Sequence, residues 1–138
     1  QQRSNKSVKP PPPLNNRKIV WAWPIRGKLS TRFNPENGDK GIDIRGTRGQ
    51  IITASAAGDV GYSGKGLIGY GNLIIIKHND IYLSAYGHNR RLLAKEGQKV
   101  KKGEKIAEMG STNKDGPILH FEIRKHGKPI NPLWYLPK

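Results

Sequence analysis

From Ile19 onward the chain sets short apolar runs between glycines and polar residues. The runs are IVWAWPI, QIITASAAG, NLIIIKH, IYLSAYG, EKIAEMG and ILHFEIR. Each is short and rich in β-branched or aromatic side chains, the composition that suits a pleated and half-buried surface. Ile74 to Ile76 form a continuous apolar run, which predicts a central strand. His78, Asn79 and Asp80 supply turn chemistry that joins this strand to IYLSAY as a hairpin. Only Asn89 to Glu96 has room for a helical turn or two. Seventeen glycines spread over so many short strands predict an antiparallel all-β domain.

Residues 1 to 18, QQRSNKSVKPPPPLNNRK, break the pattern. They are polar and basic, with four consecutive prolines from Pro10 to Pro13. Such a stretch buries too little surface to offset its ordering entropy, and the prolines favour a stiff, extended spacer. The expected organisation is a Pro-rich linker over 1–18 and one domain over 19–138. A chain of 138 residues has room for little more. Within the domain, Glu96 to Met109 carries two similar units, GQKV and GEKI. A lipoyl-type carrier would set one lysine at a hairpin tip between acidic or Met residues. The lysines here have no such setting, so the units are expected to be structural turns. Gln1 is not a usual native start, so an export signal or lipid anchor would lie upstream.

Charge narrows the partners. Lys and Arg number 25 against 10 Asp and Glu, a formal net charge of +15. That excess attracts acidic partners: nucleic acid, anionic lipid or the anionic polymers of a bacterial wall. No aromatic and basic platform of the kind that binds nucleic acid accompanies it. Cysteine is absent, which excludes disulfides and thiolate metal sites. No apolar run approaches the roughly 18 residues of a membrane span.

Four histidines are the remaining chemistry. His78 and His126 lie in polar turns and are expected in solvent. His88 follows a strand in AYGHN, and His120 lies within LHFEI. Residues two apart on a strand share a face, so Ile118 and His120 point the same way. By residue type His88, His120 and Asp43 could form a zinc set, though ordinary loop and strand histidines fit the same spacing.

Five segments then occur in a familiar order and spacing: KGIDI, GYGNLIIIKH, YGHN, GQKVKKGEKIAEMGST and LHFEIRKHGKPINP. Together they resemble the LytM-type (lysostaphin-like) endopeptidase domain, over about residues 21 to 138. The resemblance implies a small antiparallel β domain with an open groove whose floor carries zinc. Active members supply H-x-x-x-D, a histidine after a Tyr-x pair, and H-x-H before Phe-Glu. In this chain the first ligand position is Asp39, the Asp ligand is Asp43, the Tyr-x-His histidine is His88 and the last ligand is His120. The first histidine of H-x-H is Ile118. Ile118 cannot orient a water, and Asp39, Asp43 and His120 make a harder, weaker zinc set than the usual one. The resemblance therefore implies a protein without hydrolytic activity and without a cofactor; the alternatives are a residual zinc endopeptidase that uses Asp39, Asp43 and His120 with His88 as base, and a plain peptidoglycan-binding module.

The sequence looks closest to the degenerate members that activate cell-wall amidases in Gram-negative bacteria. That implies a periplasmic location, an upstream wall-binding LysM domain and membrane contact only through an upstream lipid anchor in the outer membrane. The implied partners are an N-acetylmuramoyl-L-alanine amidase and peptidoglycan, not nucleic acid, and the chain is expected to be monomeric. By family correspondence the groove that docks the amidase's regulatory helix is lined by Lys40, Asp43, Arg45, Tyr70, Leu73, Tyr86, His88, Ile118, His120 and Arg124. Asp43 and His120 are also expected to hydrogen-bond to each other and hold two strands together.

Overall fold

The computed structural model describes residues 18–138, so the expected linker lies outside the described residues except for Lys18. Ten strands follow in chain order. They are β1 (Leu29–Thr31), β2 (Ile42–Arg45), β3 (Ile51–Thr53), β4 (Gly58–Gly64), β5 (Asn72–Lys77), β6 (Tyr82–Leu92), β7 (Lys99–Val100), β8 (Lys105–Met109), β9 (Ile118–Lys125) and β10 (Lys128–Ile130). Two short 3-10 turns, Pro35–Asn37 and Pro132–Trp134, complete the described elements. All the strand pairings are antiparallel, in the order β1-β2-β9-β6-β5-β4-β7, with β10 on β9 and β8 bridging β6 to β3. The all-β expectation holds, and β5 lies between β6 and β4 as its apolar run predicts.

Period-two alternation decides which side chains reach the core. Ile42 and Ile44 of β2, Ile74 and Ile76 of β5, and Leu119, Phe121 and Ile123 of β9 all point to one face. There they pack with Trp21, Ile52, Ile106 and Met109. The residues between them point to the other face, and that is where the candidate site lies.

The hairpin between β5 and β6 forms as expected. The Asn79 side-chain oxygen accepts from the backbone N–H groups of Ile81 and Tyr82, both at 2.8 Å. The twin units also prove to be turns. Gln98 N–H donates to Lys95 O and Glu104 N–H to Lys101 O, each at 3.0 Å. Their side chains reach back to the N–H groups of Lys95 and Lys101.

Two expectations fail. Asn89 to Glu96 contains no helical turn: β6 runs on to Leu92, because Asn89, Arg91 and Leu92 find ladder partners on Met109, Glu108 and Ala107 of β8. His78 is not a solvated turn residue. Its ring is buried, edge-on to Trp21 at 4.9 Å, and both nitrogens are bonded. Nδ1–H donates to the Ala57 carbonyl at 2.7 Å, which leaves Nε2 to accept from the Ser84 hydroxyl at 2.7 Å. His126 is exposed, as expected.

Candidate partner-binding groove

The site is built where β2 meets β9. Their register sets Asp43 opposite His120 and Arg45 opposite Ile118. Asp43 and His120 share the outer face, and His120 Nδ1 lies 2.7 Å from Asp43 Oδ1. One strand position further, Glu122 takes the other ring nitrogen, with Nε2 at 2.7 Å from Oε2. Arg124, two more residues along the same face, donates from Nε to Glu122 Oε1 at 2.8 Å. Tyr70 closes the chain from above. Its hydroxyl donates to Glu122 Oε2 at 2.8 Å and accepts from Arg124 at 3.2 Å.

This row alternates in charge. Burial works against the charge on His120, but the bonds to Asp43 and Glu122 and their charges outweigh it and raise its pKa to about 9. Burial likewise opposes the charges on Asp43 and Glu122. The bond to His120 and its charge prevail at both, and each carboxyl is held below its ordinary value. An imidazolium thus sits between two carboxylates, and one of these, Glu122, is itself bound to an arginine.

His88 approaches from β6 with φ of 66°, a left-handed conformation that a residue with a side chain rarely adopts. The fold holds it by His88 N–H to Tyr70 O at 2.7 Å and Gly110 N–H to His88 O at 2.9 Å. Its ring lies 6.0 Å from that of His120, and burial first, then the His120 charge, lowers its pKa. Gly87, the neighbour of His120 on β6, keeps the floor low. A Cβ there would meet Tyr70 O at 3.2 Å, so any larger residue would push the Tyr70 loop a few tenths of an ångström off the sheet.

The expected groove residues divide by position. Lys40, Tyr70, His88 and His120, with Glu122, line a polar compartment of about 270 Å³. Tyr70, Leu73 and Arg124 line a second, apolar compartment of about 240 Å³. Asp43 supports His120 from β2, and Arg45 is exposed, donating to the Asp115 carbonyl.

Two of the expected residues are displaced. Tyr86 is no groove residue: it falls between Ala85 and Gly87, points to the core face and is fully buried against Phe121. Its hydroxyl accepts from Ser55 N–H at 2.9 Å and bonds to Ser84 at 2.7 Å. Ile118 is on the groove side, yet only 1% exposed, so it offers no free apolar anchor. Glu122, which connects the row, was absent from the expected set. Its i+2 spacing from His120 in LHFEI placed it on the same face.

The donor set is a poor one for zinc: by the family correspondence Asp39 stands at the first ligand position, so Asp39, Asp43 and His120 would offer two carboxylates and one imidazole, a harder set than the usual one. Asp39 lies in a turn beyond the Pro35–Asn37 segment, its backbone paired with Asn34. Among the described residues no group of three His, Cys, Asp or Glu is placed to hold a metal.

A strand pair that carries His120 and Asp43 on the outer face of a small antiparallel sheet is the arrangement that the LytM-type resemblance implied. Residues 37–132 match the pattern of peptidase family M23, and the chain belongs to that family. It is similar to the lipoprotein NlpD/LppB homolog of Pseudomonas aeruginosa, 61% identical over 120 residues, which cover 86% of this chain and 40% of that protein. It is also similar to the murein hydrolase activator NlpD of Escherichia coli, 59% identical over 120 residues, 86% of this chain and 32% of that protein. The chain therefore spans well under half the length of these relatives. Among solved structures it resembles the catalytic domain of lysostaphin from Staphylococcus simulans. The TM-score is 0.67 at 26% identity, over 88% of this chain and 93% of that domain.

Proposed function

We propose that the chain is a non-catalytic activator of an N-acetylmuramoyl-L-alanine amidase in cell-wall remodelling and daughter-cell separation. The observation that carries this reading is Ile118, which lies on the groove side two residues from His120 on the same strand. Ile118, where active members have a second histidine, has neither donor nor acceptor to orient a water or steady a tetrahedral oxyanion. Asp39, where they have the first ligand, is an oxygen donor in place of an imidazole. The groove itself persists, and a groove without chemistry is a place to bind.

The occupant is the amidase's regulatory helix, held as an amphipathic helix in a groove. Drawing that helix away from the amidase's own active site shifts the amidase toward its open state. Two relatives carry lipoprotein names, one of them an outer membrane antigenic lipoprotein, which supports a periplasmic location with the outer membrane as anchor, and the Escherichia coli relative is named a murein hydrolase activator, which supports the activating role.

The test mixes the purified chain with dye-labelled sacculi, with and without an amidase. Dye release in the mixture alone, reduced by Arg124→Ala, is the expected result. Release by the chain alone, abolished by a chelator, would overturn the reading.

A further inference from the structure

The outer face of an antiparallel sheet is ordinarily its wet face, with polar residues alternating against the buried ones. Over β2 and β9 this chain obeys that rule: Asp43, Arg45, His120, Glu122 and Arg124 lie there. Over β5 and β6 it does not. Leu73 and Ile75 lie beside Leu83 and Ala85, and none of the four belongs to the core cluster. They floor the apolar compartment, beneath a glycine-rich loop from Gly64 to Gly71. That loop leaves Leu67 45% exposed and Ile68 99% exposed. Leu67 faces the apolar compartment and Ile68 the polar one, with Tyr70 between them.

Size and charge say what fits. At about 240 Å³ the slot is smaller than the ~300–1,000 Å³ of pockets that hold free small molecules, so an inserted side chain suits it better. Glu122 on the floor is already paired with Arg124, Nε to Oε1 at 2.8 Å. Lys40 at the polar compartment and Lys65 on the loop take part in no ion pair among the described residues. An occupant complementary to this surface is apolar on one side and acidic on the other.

We propose that the slot is the specificity pocket of the groove. An acidic amphipathic helix of the amidase inserts one large apolar side chain between Leu67 and the β5–β6 floor. An acidic side chain about one turn away, ~5–6 Å along the helix, meets Lys40 across Tyr70. This inference rests on the activator reading and names the chemistry of its partner.

The experiment measures binding of the chain to a purified amidase by calorimetry, beside dye release from sacculi. Leu67→Ser with Ile68→Ser removes the exposed wall at no cost to the core, and Ala85→Leu fills the slot from its floor. Each is expected to weaken binding and stimulation about tenfold or more, as loss of a central apolar anchor does. The melting temperature of the loop variant is expected to stay that of the wild type. Wild-type binding that survives both changes overturns the slot and leaves the activator reading standing. A wild-type chain that neither binds nor stimulates the amidase overturns both. A wild-type dimer broken by the loop variant assigns the slot to a second copy and overturns the proposal.

Discussion

The same sheet carries two histidine-centred networks, one on each face, and they are built on opposite principles. On the core face His78, Ser84, Tyr86 and the Ser55 N–H form a neutral chain in which each group donates one way. Burial pushes the pKa of His78 down and that of Tyr86 up to about 12, so both stay uncharged. On the groove face Asp43, His120, Glu122 and Arg124 alternate in sign, and every ion is held by its neighbours. The difference is one of surroundings. The core chain is closed in by Trp21 and Phe121, where an ion would find no counter-charge. The groove row is near enough to solvent, and rich enough in partners, to keep four charges.

The sharpest way to break the comparison is Glu122→Ala. It strips the shared carboxylate from both His120 and Arg124 and leaves each without that partner. A loss of about 3–5 kcal/mol is expected in urea unfolding, the cost of removing one member of a buried ion pair. A loss under about 1 kcal/mol would mean that the row is not coupled. Next in size is pH. The folded pKa of His120 lies above its ordinary 6.5, so its stabilisation is complete below about pH 6.5 and is lost as pH rises through about 9. A fall on the order of 3 kcal/mol is expected over that window. His120→Gln should flatten it. His78 runs the other way. Its folded pKa is lowered, so its contribution is present above pH 6.5 and is lost as pH falls below that value. The same dependence of stability on pH in wild type and His120→Gln would dissolve the distinction between the faces.

The tyrosines sharpen it further. Tyr86→Phe orphans the Ser55 N–H inside the core and leaves the Ser84 hydroxyl with His78 alone, at a cost of about 1–3 kcal/mol in stability, with amidase binding unchanged. Tyr70→Phe removes bonds to Glu122 and Arg124 at a half-exposed site. It is expected to cost about 1 kcal/mol or less in stability while weakening amidase binding. An equal effect of the two changes on binding would contradict the assignment of Tyr86 to the core.

Much of this fold was legible in the sequence because its signals are local. Period-two runs, the Asn79 turn and the repeated G-x-K units each depend on a few adjacent residues. The Asp43–His120 bond was also legible, once the resemblance set KGIDI beside LHFEI. What escaped depends on distant packing. KHND reads as a polar turn, and nothing near it announces that Trp21 closes over His78. Tyr86 was misplaced because a family correspondence names a segment, whereas the strand's alternation decides the face. Glu122 was left out of the expected set, although parity already set it beside His120.

The smallest expected effect tests the groove row at its centre. Asp39, Asp43 and His120 would offer zinc two carboxylates and one imidazole, a harder and weaker set than the usual one, and among the described residues no group of three such side chains is placed to hold a metal. Metal must also compete with protons for the lone pairs of Asp43 and His120, which lie 2.7 Å apart. Added zinc or a chelator should therefore move the melting temperature by less than about 1 °C near neutral pH, because a ligand stabilises only as far as it binds the folded state. A resident or tightly bound zinc would act otherwise, contributing about 2.7 kcal/mol at a hundredfold excess over its dissociation constant. A melting temperature that rises by several degrees with zinc, and falls with a chelator, would turn the charged row back into a metal site. The two faces would then differ in cofactor, not in charge.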